Sequence, residues 1–279
     1  MRGRYWLVWR VAAISCAVFA ISSTASAVVV DWSTITWPNG SLTNSYDVDA
    51  GSAGNDVTIT VGGDTGQLQP SLVSPNPPTP AITQAFQGGL TTIPKALELA
   101  LNLANTTQAV TVTVTFSSNY TLGVNDISFQ LFDIDYANAG SSNNYQDLIK
   151  SITATSILGT TIAPTITGVG PNTTLTGTGA TQVLTGAAST VDTGAGSGNA
   201  NATITYSSAV GIRSFTFTYG STTAFLDPTY QHVGIYNIDY SVVPEIDPSW
   251  FSFIACALLV CWNIRNSLKA GRAKQSGAC

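Results

Sequence analysis

Residues 95–103 read KALELALNL, and whether this stretch is a helix or a strand decides the fold class. Its composition favours a helix, since Ala, Leu, Glu and Lys are good helix formers. Its spacing favours a strand. Leu97, Leu99, Leu101 and Leu103 alternate with Ala96, Glu98, Ala100 and Asn102. On a helix the four leucines would be spread around the axis. On a strand, where successive side chains point to opposite faces, all four share one face. The spacing predicts a strand.

The sequence on either side agrees. VTITV (57–61), VTVTVTF (110–116), ISFQLFDI (127–134), ATITY (202–206), SFTFTY (214–219) and HVGIYNIDY (232–240) are rich in β-branched and aromatic residues with a period of two. Clusters of Gly, Asn, Ser and Pro separate them. TVTVTFSS (111–118) and NATITYSS (201–208) resemble one another, and each is soon followed by an aromatic strand, FQLF (129–132) and FTFT (215–218). This predicts a repeated strand–turn–strand unit, two hairpins in equivalent places of two facing sheets. Residues 159–200 are dominated by Gly, Thr, Ala and Ser and should hold short edge strands and long loops, while SPNPPTP (74–80) should be a stiff, exposed loop. The fold class predicted is all-β: one domain over residues 28–243, a two-sheet antiparallel sandwich of jelly-roll type, with a helix at each end of the chain.

The ends carry an address. Arg2, Arg4 and Arg10 precede an apolar stretch at 11–21, followed by small residues with Ala25 and Ala27 at the A-x-A positions. That layout is a secretory signal peptide over 1–27, with cleavage after Ala27. The apolar run falls short of the roughly 20 residues a spanning helix needs. At the other end, 244–279 contains an apolar segment at about 249–264, flanked by Arg265, Lys269, Arg272 and Lys274. Seven of the ten basic residues lie in these two ends, whereas all fifteen acids lie between Asp31 and Asp247. Positive charge beside apolar segments stays on the cytoplasmic side, so the acidic body should cross. Nucleic acid binding needs a basic footprint that Lys95, Lys150 and Arg213 cannot supply. None of the four cysteines (Cys16, Cys256, Cys261, Cys279) falls in the body. Disulfides, thiolate metal sites and a cysteine nucleophile are therefore excluded there.

Little catalytic chemistry remains, and no enzyme activity is expected. The single histidine, His232, lies in an alternating strand and reads as a packed or surface residue. No G-x-S-x-G turn, H-E-x-x-H helix or phosphate-binding glycine loop is present. The candidate site is LFDIDYANAGSSNNYQDLI (131–149). Asp133 and Asp135, two apart at a strand end, should face the same way with Ile134 in the core. Asp147 follows where the next strand begins. Three carboxylates with nearby loop carbonyls are the hard oxygen ligands that Ca²⁺ takes. Trp32, Trp37, Tyr46, Tyr136 and Tyr145, if exposed, could stack on sugar rings.

The tail is more specific. Val243, Pro244, Glu245, Ile246, Asp247 and Pro248 form a V-P-E-I-D-P box, followed by the apolar segment and the basic end. This order resembles the PEP-CTERM family of bacterial sorting signals, in its V-P-E-I-D-P variant. The resemblance covers about 30 of 279 residues. It implies that the tail is held in the inner membrane until an exosortase, a membrane-embedded cysteine transpeptidase, removes it. The basic end departs from the family in being spread over ten residues. The body also resembles the uncharacterised β-sandwich domains such proteins carry, with SFQLFDID as the shared strand, a likeness that implies no activity. The expectation is an exported structural or adhesive protein of the cell surface or extracellular matrix, with exopolysaccharide as a candidate partner. A calcium-dependent carbohydrate-binding module, or a single-pass protein with an unprocessed tail, are the alternatives.

Overall fold

The computed structural model describes residues 26–50, 54–86, 88–90, 92, 94–138, 144–187, 197–243, 259–260 and 262. The chain divides into two units: Ala25–Val243, and a second made of Met1–Thr24 with Pro244–Cys279. In the second unit the described residues are Leu259, Val260 and Trp262, all helical. Both terminal helices expected from the sequence, and the box residues Pro244, Glu245, Ile246, Asp247 and Pro248, lie outside the described residues. Among the described residues no helix is long and apolar enough to cross a membrane.

The body is all-β. Its strands begin with β1 (Ser26–Val30), β2 (Thr43–Tyr46), β3 (Val57–Gly63), β4 (Ala81–Thr83), β5 (Ala96–Leu101), β6 (Ala109–Phe116), β7 (Val124–Phe132) and β8 (Tyr136–Asn138). They continue with β9 (Asn144–Ser156), β10 (Thr161–Ile162), β11 (Thr165–Thr167), β12 (Thr173–Thr176), β13 (Val183–Gly186), β14 (Ala202–Tyr206), β15 (Ile212–Ser221) and β16 (Gln231–Val242). The helical pieces among the described residues of the body are three-residue 3₁₀ turns.

All pairings are antiparallel and form one curled sheet. Its path holds two runs. The first is β2-β3-β6-β15-β9-β13-β12, and the second is β11-β14-β7-β16-β5-β4 with β1 also on β16. A single pair, Ile212 with Val124, joins them. Side chains from both runs share one core: Phe129 of β7 stacks on Phe215 of β15 at 4.7 Å, and Phe116 of β6 meets Tyr240 of β16 at 4.9 Å. β6 shows how the sequence encodes this. Val110, Val112, Val114 and Phe116 point into the core, while outside Thr111 and Thr113 face Thr218 and Thr216 with hydroxyls 3.2 and 3.4 Å apart.

Residues 96–101 are a strand, as the alternation predicts, and Leu97, Leu99, Leu101 and Leu103 all join the main core. The other face of β5 is also buried. Ala96 packs with Phe86 and Phe132 in a second apolar cluster. Alternation of large with small residues thus fits a strand covered on both sides: leucines inward, and Ala96, Glu98 and Ala100 meeting Phe86, Ser71 and Thr79 in turn.

The repeated units do not form two hairpins. β6 pairs with β15 and β14 pairs with β7, so each unit lends its first strand to the other unit's second. The reason lies at the crossovers. Residues 117–123 and 207–211 carry the chain from one run to the other and touch at Gly123 and Gly211. A Cβ on Gly211 would lie 1.6 Å from the Leu122 carbonyl oxygen, and one on Gly123 would lie 2.8 Å from the Gly211 backbone. Gly123 also has a φ of +74°, a region that favours glycine.

Candidate functional site

The segment after β7 carries the three predicted aspartates. β7 ends at Phe132, and Asp133 adopts a left-handed φ of 68°. That break interrupts the strand alternation. Ile134 is fully buried in the core as expected, but Asp133 stays half-buried while Asp135 is completely enclosed. Asp147, the fourth residue of β9, is also completely enclosed. The two segments are tied together. The Asp135 N–H donates to Asp147 Oδ2 at 3.0 Å, and the Asp147 N–H donates to the Asp135 carbonyl, also at 3.0 Å. The Tyr219 hydroxyl donates to Asp147 Oδ1 at 2.8 Å.

The acids are close enough to repel. Burial pushes the Asp147 carboxyl well above its ordinary value, and the charges of Asp135 and Asp133 push it further. The backbone and Tyr219 hydrogen bonds pull the other way. The structure therefore brings Asp133, Asp135 and Asp147 into one neighbourhood, where Asp147 fastens loop to strand. Among the described residues no three His, Cys, Asp or Glu side chains are grouped as a metal-holding set. Asp239, opposite Val29 in the β1–β16 pair, is raised by burial and by the charge of Asp31.

A second polar cluster was not singled out from the sequence. Glu98 of β5 is fully buried. His232 Nδ1 lies 3.0 Å from its Oε1, and the Ser71 hydroxyl donates to its Oε2 at 2.6 Å. Burial pushes the Glu98 carboxyl up. Hydrogen bonds from His232, Ser71 and Thr83 outweigh this and hold it below its usual value. His232 packs edge-on to Phe86 and against Tyr230, whose hydroxyl donates to the Pro70 carbonyl. Its Nε2 is buried without a hydrogen-bond partner among the described residues. The cluster joins four separate pieces of chain: the loop at 71, β4, β5 and β16. The signal was available in the alternation, because Glu98 is the one charged residue on the small-residue face of KALELALNL.

The aromatic candidates for sugar stacking are mostly packed away. Trp32, Trp37, Tyr46 and Tyr145 are buried, and Tyr46 packs between the two tryptophans at 6.4 and 6.5 Å. Tyr136 is half-buried against Phe225. Burial wins because these rings offer the largest apolar area for the core of a body without disulfides.

No protein-family model matches the chain, and no curated protein matches it. Among solved structures, it is similar to a family 11 carbohydrate-binding module from Clostridium thermocellum in complex with a β-1,3-1,4-mixed-linked tetrasaccharide. That alignment has 12% identity and a TM-score of 0.30, and covers 81% of this chain and 100% of the module. It is also similar to the N-terminal domain of a Streptococcus gordonii adhesin, with 12% identity and a TM-score of 0.30, covering 82% of this chain and 59% of that one.

Proposed function

We propose that the chain is an exported structural or adhesive protein of the cell surface or extracellular matrix, with a body delivered by the leader and sorted by the V-P-E-I-D-P tail. The observation that carries this reading is the pairing of the body's first and last strands. Val28 faces Tyr240 and Val30 faces Ile238. The end that follows the leader and the end that precedes the box therefore lie side by side, as suits a domain attached through one end. Cleavage after Ala27 leaves Val28, Val29 and Val30 paired with Tyr240, Asp239 and Ile238, so maturation does not unmake the strand. The two runs of the sheet face one another as a jelly-roll-like sandwich in this reading, a view supported by the stacking of Phe129 on Phe215.

An exosortase-type enzyme and the inner membrane are the partners this proposal requires. It is tested by replacing Pro244 and Glu245 with alanine. The expected outcome is full-length protein retained in the inner membrane, against a shortened form released from it in the unaltered strain. If both proteins run at full length in the same fraction, the tail is a permanent anchor.

A second reading, calcium-dependent binding, is favoured by one observation. The charges of Asp135 and Asp133 bear on Asp147. A divalent cation among the three would remove that repulsion.

A further inference from the structure

Residues 71–78 form a loop held by its own hydrogen bonds. The Ser71 N–H donates to the Pro77 carbonyl at 2.8 Å, and the Asn76 N–H to the Val73 carbonyl at 2.7 Å. The Asn76 side-chain amide donates to the Ser71 carbonyl at 2.9 Å, and the Val73 N–H to the Ser71 hydroxyl oxygen at 3.0 Å. Between this loop, β4 and the start of β5 lies an open pocket of about 220 Å³. Val73, Pro75, Pro77 and Ile82 are its apolar lining, and Ser74, Thr83, Gln84 and Lys95 its polar lining. The loop and β4 rest on the same buried carboxylate, because Ser71 and Thr83 each hydrogen-bond to Glu98.

Lys95 is unusual in this chain. The body between residues 28 and 243 has three cations, and the other two are engaged or partly covered. The Arg213 guanidinium donates to the Ser117 carbonyl at 2.8 Å, and Lys150 is half-buried on β9. Lys95 alone is exposed, and among the described residues no carboxylate forms an ion pair with it. In an otherwise acidic body, the one exposed ammonium lines a preformed pocket.

We propose that this pocket binds a single uronate residue of an acidic polysaccharide. Three properties select that ligand. The volume lies below the roughly 300–1,000 Å³ of sites for drug-sized ligands, so the pocket takes one ring and no more. The ammonium of Lys95 calls for a carboxylate. The mixture of apolar groups with the exposed Ser74 hydroxyl suits a pyranose, which has a C–H face and hydroxyls that both donate and accept. An acidic peptide side chain offers the carboxylate alone. The fixed loop needs little ordering when the ligand arrives. Repulsion from acids more than about 8 Å away is screened at physiological salt, and the nearer Glu98 carboxylate is taken up by His232, Ser71 and Thr83.

The proposal rests on the matrix location proposed above. Its test is equilibrium dialysis of the full-length chain in mild detergent with trigalacturonate, and with its neutral methyl ester as a second arm. Saturable one-to-one binding of the acid is expected, weakened at least about tenfold by esterification and by Lys95→Gln, since a charge-assisted hydrogen bond is worth that much or more. Lys95→Arg should retain most of the binding. Binding that is absent at millimolar trigalacturonate, or that survives both esterification and Lys95→Gln, overturns the proposal. The ester arm leaves the protein unaltered, so a misfolded variant cannot decide the outcome. Location is read separately by cell fractionation. Exported protein that does not bind refutes the pocket alone, and binding by a chain retained inside the cell refutes the location alone.

Discussion

Asp147 and Glu98 are both fully buried carboxylates, and their surroundings push them in opposite directions. Asp147 is raised, by burial and then by Asp135 and Asp133. A raised carboxyl binds its proton more tightly folded than unfolded. Its contribution to stability is therefore present at low pH and is lost as pH rises from the ordinary carboxylate value through the raised one. Glu98, net lowered by its three partners, contributes in the opposite sense: its stabilisation is present above the ordinary value and is lost on acidification through the lowered one. In Asp147→Asn the side-chain oxygen can still accept the Asp135 N–H, and the amide can donate to Tyr219. Thermal unfolding at pH 8 in EGTA should find Asp147→Asn melting no lower than wild type, and the stability that Asp147 loses as pH rises above the ordinary carboxylate value should be absent from the variant. A large loss of stability in Asp147→Asn would contradict the raised carboxyl. Adding millimolar Ca²⁺ decides the second reading. A site among the three acids would stabilise wild type by about 2.7 kcal/mol at a hundredfold excess over the dissociation constant, and much less in the variant. At this scale the sequence showed that D-x-D and Asp147 could come together, and the three acids do share one neighbourhood. It did not announce their unequal burial, because the left-handed backbone at Asp133 is set by the loop and leaves no mark on the alternation.

Among the elements, β5 and the paired crossovers carry the most information. The leucine alternation of KALELALNL foretold the strand and its inward face. The pairing of the repeated units was harder to foresee. TVTVTF and ATITY look like the first strands of two hairpins, but pairing depends on which way each following turn sends the chain. That direction is set by Gly123 and Gly211 packing back to back, a contact between residues 88 positions apart. Gly211→Ala should therefore destabilise the body by about 1–3 kcal/mol, as overpacking does. For a body of this size that lowers the melting temperature by roughly 2–10 °C. Gly62→Ala, where a Cβ meets nothing within 4 Å, is the control and should stay within about 0.5 kcal/mol of wild type. Equal melting of the two variants would show that the crossover contact does not hold the strand exchange.

For the whole molecule, the compact unit Ala25–Val243 holds no cysteine and thirteen of the fifteen acids, Glu245 and Asp247 lying beyond it. The all-β core was legible because period-two patterning over so many strands leaves few alternatives. The adjacency of the body's two ends was not, since nothing in SAVVV or NIDYSV marks them as partners. That adjacency supports the central claim, export and sorting of a body attached through one end. The most direct measurement is the intact mass of the protein recovered from the cell surface and culture medium. The account predicts a chain that starts at Val28 and has lost the apolar segment and basic end behind the V-P-E-I-D-P box. Recovery of a chain running from Met1 to Cys279, confined to the cell interior, would contradict it.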